Sequence, residues 1–88
     1  MTNSEADALL KKFVEHFVLR RIPPQRIPIA KGVLPTPMAL QVHAHWMSLE
    51  ALTFPPADVD KKRVWIAFIQ AILWPLTGDL PDMFRGGK

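Results

Sequence analysis

The sequence predicts a compact all-α domain of three helices, and three observations carry that prediction. The stretch from Asp60 to Trp74 is apolar on nearly every side when placed on a helix, so other elements must cover it. Ala6, Leu9, Leu10, Phe13, Val14, Phe17 and Val18 recur three and four residues apart, the spacing of one helix face. Proline-rich segments at 22–37 and 53–57 separate the periodic stretches.

A chain of 88 residues is one domain near the lower end of what a single core can stabilise. It has no cysteine, so neither disulfides nor thiolate-bound metal contribute, and apolar burial or association must supply the stability. A hydrophobic content of 49% with a net charge of +3 argues against disorder of the chain as a whole. The longest apolar run, Val64 to Trp74, falls short of the roughly 20 residues of a membrane span. The acidic, polar start Met1–Asp7 does not resemble a secretory signal, so a cytoplasmic protein is expected.

Helix 1 is expected over about 4–21, capped by Ser4 or Asn3, with Glu5 and Asp7 at the end where the helix dipole favours acids. It stops before Ile22-Pro23, because the residue ahead of a proline is biased out of the helical region. The connection from Ile22 to Pro37 holds five prolines and Gly32 and should run extended. Its Ile22, Ile27, Ile29, Val33 and Leu34 are too apolar for a free linker and are expected to lie across the helices.

Thr36-Pro37 opens helix 2, expected over 37–52. Met38, Val42, Trp46 and Leu49 share one arc and read as its core face; Leu40, Ala44, Met47 and Ala51 form a second apolar strip on the far side. Asp58 or Asp60 caps helix 3, expected over 60–74 and ending before Pro75. The tail 75–88 is expected to be irregular and partly disordered, with Leu80, Met83 and Phe84 spaced as one helical turn.

Signals for chemistry are sparse. His43-Ala44-His45 has a metal-binding spacing for a strand, but on a helix the two rings diverge by about 160°. No Gly-rich phosphate loop or serine elbow is present, and the acidic residues lie mainly at helix starts and in the tail. No catalytic residue, cofactor or metal site is therefore assigned.

Two surfaces remain. The far strip Leu40, Ala44, Met47 and Ala51, the flank Ile66, Leu73 and Trp74 and the trio Leu80, Met83 and Phe84 together exceed what thin helical layers should cover. They are expected to form a partner interface, which makes the chain a small non-catalytic protein-binding module, an adaptor or inhibitor, acting as a homodimer through helices 2 and 3. The alternative is a nucleic-acid-binding accessory protein whose candidate contacts are Arg20, Arg21, Arg26 and Lys31 around the connection and Lys61, Lys62 and Arg63 at the start of helix 3.

Overall fold

The computed structural model describes residues 1–28 and 35–77, with side chains described as far as Trp74. It confirms the all-α class: α1 (Asn3–Leu19), α2 (Pro37–Ala51) and α3 (Val59–Thr77), with a 3-10 turn at Pro56–Asp58 leading into α3 and no strand among the described residues. The extents of 34 × 29 × 28 Å and a radius of gyration of 12.9 Å describe three helices packed around one core.

The start of α1 is a reciprocal capping box. The Glu5 amide donates to Thr2 Oγ1 at 3.1 Å and the Thr2 amide donates to Glu5 Oε1 at 2.8 Å, which satisfies two otherwise orphaned N–H groups. Thr2 therefore takes the capping role expected of Ser4 or Asn3. The cap matters elsewhere too, because Asn3 is left free to serve α3.

At its other end α1 closes with a Schellman motif. Arg21 adopts φ +57°, its amide donates to the Val18 carbonyl, and the Ile22 amide donates to the Phe17 carbonyl, both at 3.0 Å. Ile22 and Phe17 are buried together there. Pro23 follows and prevents any continuation of the helix.

Thr36 caps α2 by accepting the Ala39 amide at 3.1 Å, with Pro37 at the first helical position, as expected from the sequence. The faces of α2 are largely reversed from the expectation: of the expected core arc only Val42 is buried in the core. Ala44, Met47 and Ala51 lie in the core with Ser48, whereas Met38 and Leu49 are exposed and Trp46 is half-buried. Side-chain size explains the reversal, because Ala44, Ser48 and Ala51 are small enough to let neighbouring helices approach closely. The Ser48 hydroxyl donates to the Ala44 carbonyl at 2.8 Å and so enters the core satisfied.

In α3, Ile66, Ile69 and Ile72 turn inward beside Phe17, Leu10 and Phe13. The helix continues through Pro75 to Thr77, beyond the expected end at Trp74; a proline in the last turn forfeits one backbone hydrogen bond without interrupting a ladder on both sides. The expected tail from residue 78 onward, with its trio Leu80, Met83 and Phe84, lies outside the described residues.

Candidate functional site

Two inter-helix contacts orient α3 and so decide which of its faces stays open. Lys62 Nζ donates to Asp7 Oδ1 at 2.8 Å and to Asn3 Oδ1 at 2.6 Å, which joins the start of α3 to the start of α1. Lys62 is only 1% exposed, and Asp7, at 32%, connects the pair to solvent. On the other flank, Trp65 packs against Trp46 of α2 at 6.0 Å and edge-on against Phe54 of the turn at 4.8 Å. Ile66, Ile69, Gln70 and Ile72 are buried between these two anchors.

The remaining face of α3 points to solvent, and it is apolar. At about 100° per residue, Val64, Ala67, Phe68, Ala71 and Trp74 fall within an arc of about 120°. Val64 is 67% exposed, Phe68 45% and Trp74 43%. Ala71 is also exposed and Ala67 half-buried, so small residues occupy the middle of the stripe.

The expected interface residues therefore separate. Ala44, Met47, Ala51 and Ile66 are core residues and cannot meet a partner without unfolding. Leu40 and Leu73 are half-buried and pack against the core. Trp74 remains on the surface, where it is joined by Val64, Phe68 and Ala71, which sequence reasoning did not select. A helix apolar on nearly all sides offers no hydropathy contrast from which to choose its buried face; the isoleucine triplet at 66, 69 and 72 is the one signal that points to it.

The basic residues also divide. Arg20 and Arg21 are exposed at the far end of α1, Arg26 is exposed beyond them on the connection over Trp46, and Lys61 and Arg63 are exposed at the start of α3, beside the start of α1. The 17 residues of α1 set Arg20 and Arg21 about 25 Å from that start. Lys62 is removed from any surface by its burial, and Lys31 lies outside the described residues. Between the two groups runs a cation–aromatic row: Arg26 lies 5.9 Å from the Trp46 ring, Trp46 meets Trp65, Trp65 meets Phe54, and Lys61 Nζ lies 4.4 Å from the Phe54 ring. An open depression of about 200 Å³ beside this row is lined by Trp46, Leu49, Glu50 and Thr53.

The described part of the connection is held on α2 by three hydrogen bonds. His45 Nδ1–H donates to the Ile22 carbonyl at 2.6 Å, the Gln25 amide donates to the Val42 carbonyl at 3.3 Å, and the Ile27 amide donates to His43 Nδ1 at 3.1 Å. Accepting at Nδ1 places the proton of neutral His43 on Nε2. Partial burial lowers the His43 pKa from the ordinary value, and the nearby Arg26 guanidinium lowers it further. His45 is buried and stacks on Phe17 at 5.2 Å, its Nε2 without a hydrogen-bond partner.

The two rings of the H-x-H motif are thus each committed to the connection. Among the described residues no group of three or more His, Cys, Asp or Glu side chains is placed to hold a metal ion. No described helix is long and apolar enough to cross a membrane. Comparison with protein-family models, with curated proteins and with solved structures finds no match to this chain.

Proposed function

We propose that the protein is a small non-catalytic binding module, an adaptor or inhibitor, that holds a protein partner on the outward face of α3. The carrying observation is the continuous stripe of Val64, Phe68, Ala71 and Trp74, left exposed while Ile66, Ile69 and Ile72 of the same helix are buried. Aromatic side chains are frequent anchors in such contacts because they bury a large area with few rotatable bonds.

Magnitudes favour a contact of moderate strength. At the observed exposures, Val64, Phe68 and Trp74 offer roughly 300 Å² of apolar surface. At about 25 cal/mol per Å² this is worth about 7 kcal/mol. Association costs about 4–15 kcal/mol in lost freedom, so the stripe works as the centre of a larger interface.

The test is site-specific photo-cross-linking. Replacing Phe68 with p-benzoylphenylalanine in the cell of origin should give a discrete polypeptide adduct on irradiation, whereas the same probe at Lys11, on the solvated side of α1, should not. Absence of any adduct from position 68 would remove this reading.

A second reading rests on the cation–aromatic row Arg26, Trp46, Trp65, Phe54 and Lys61, which has the ingredients of a stacking platform for single-stranded nucleic acid. Titration with single-stranded oligonucleotides should then show binding that weakens steeply with salt. No binding at low salt, where the phosphate attraction is strongest, eliminates it.

A further inference from the structure

Building on the reading of the α3 face as a docking surface, we infer that its occupant is a second copy of this chain, paired antiparallel along α3 about a two-fold axis near Ile69. A two-fold contact must be self-complementary, with each residue facing the counterpart of its own counterpart. The stripe meets this condition in size. An axis at that position sets Val64 against the partner subunit's Trp74 and Ala67 against the partner subunit's Ala71.

The small residues then cross near the centre, where the helices come closest, with Phe68, one residue from the axis, flanking them, and Trp74 lies over the smaller Val64 of the partner subunit near each end. Axes about 8 Å apart, the close end of the usual range, become accessible when the crossing residues are alanines. A parallel pairing would instead place Trp74 on the partner subunit's Trp74.

Charge supports the same orientation. Lys61 stands in the first turn of α3 and Arg63 directly after it, near the positive end of its own dipole, where cations are disfavoured. Among the described residues, a long 3.5 Å contact to Asp60 is the ion pair that offsets Arg63 there. Antiparallel pairing of two 19-residue helices sets these cations beside the last turn of the partner's α3, the negative end of its dipole.

Area sets the strength. Two stripes of roughly 300 Å², with Ala67, Ala71 and the aliphatic stems of the flanking basic residues, bury roughly 1,000–1,200 Å² in total, the lower limit for a specific interface. The dimer should therefore be concentration-dependent, with a Kd of about 10–100 μM.

Sedimentation equilibrium of the full chain over roughly 1–500 μM should show the average mass rising from 10.0 kDa toward twice that value. Ala71→Glu places two carboxylates close to the axis and should weaken the dimer by at least ~30-fold, the effect of like charges facing one another in a desolvated contact. Ala71 is exposed, so the variant retains its helical circular dichroism. Leu19→Glu, a charge at an exposed apolar position outside the stripe, should leave the dimer unchanged.

A wild-type chain that stays at monomer mass throughout, or an Ala71→Glu chain that dimerises like wild type, overturns the self-pairing. The two proposals fail separately. A monomeric wild type whose position-68 probe captures a different polypeptide keeps the docking surface and removes the second copy as its occupant, while no adduct at all removes both.

Discussion

Asp7→Ala, paired with Lys62→Met, tests the contact that orients α3 and thereby decides which face it shows to solvent. Asp7→Ala leaves an ammonium that is 1% exposed with Asn3 Oδ1 as its remaining acceptor among the described residues. Removing one member of a buried ion pair costs about 3–5 kcal/mol. Asp7 is 32% exposed and Asn3 stays in place, so the cost here should be about 2–3 kcal/mol.

Lys62→Met behaves differently, because it removes the charge together with its desolvation and keeps most of the apolar stem. Asp7 then turns to water, and the net change should stay within about 1 kcal/mol. The double variant should resemble Lys62→Met alone, which makes the coupling energy about 2 kcal/mol. Urea unfolding followed by tryptophan fluorescence reads these values. With a slope of about 1 kcal/mol per molar for a domain of this size, Asp7→Ala should lower the midpoint by about 2–3 M and Lys62→Met by less than about 1 M. Equal and small effects of both substitutions would refute the buried pair, as would a coupling energy below about 0.5 kcal/mol. A folded Lys62→Met chain with reduced oligonucleotide affinity would return the lysine to the surface.

Two further outcomes follow from the connection and its anchors. Arg21 sits at φ +57°, a conformation that costs a side-chain-bearing residue about 1 kcal/mol, so Arg21→Gly should raise stability by up to about 1 kcal/mol in thermal or urea unfolding; a loss of stability would show that the guanidinium contributes more than the backbone strain. His43 has a folded pKa below its ordinary value near 6.5, so the unfolded chain takes up the proton more readily. The stability this confers is present above the unfolded value and is lost as pH falls through the folded one. Urea midpoints should therefore fall between pH 7.5 and 5, and His43→Gln should flatten that fall by removing the ring that accepts the Ile27 amide. An unchanged slope in the variant would show that the proton is taken up elsewhere.

Much of this architecture is present in local sequence. Thr36-Pro37 starts α2 because a hydroxyl cap followed by a residue lacking an amide suits a helix start and little else. Ile22-Pro23 ends α1 for the complementary reason, and the spacing from Ala6 to Phe17 buries Ala6, Leu10, Phe13 and Phe17 as expected, although Val18 at the end of the same arc is exposed. The candidate site was less legible. Leu40, Ala44, Met47 and Ala51 form a proper apolar strip, but a strip on a central helix belongs to the core wherever a neighbouring helix covers it. Lys62 read as a surface cation because its neighbours Lys61 and Arg63 are cations, whereas its acceptors lie at least 55 residues away in the chain.

By itself the sequence determined what depends on neighbours within a turn or two: three helices, the Thr36-Pro37 start of the second and the stop of the first before Pro23, and an apolar surplus concentrated in the third. Tertiary structure alone decided the rotation of α3, because a helix apolar around most of its circumference is nearly indifferent to which face it buries until long-range partners break the tie. Asp7 and Asn3 on one flank and Trp46 on the other break it here. Ile66 and Ile69 turn inward as a result, and Val64, Phe68, Ala71 and Trp74 are left facing water.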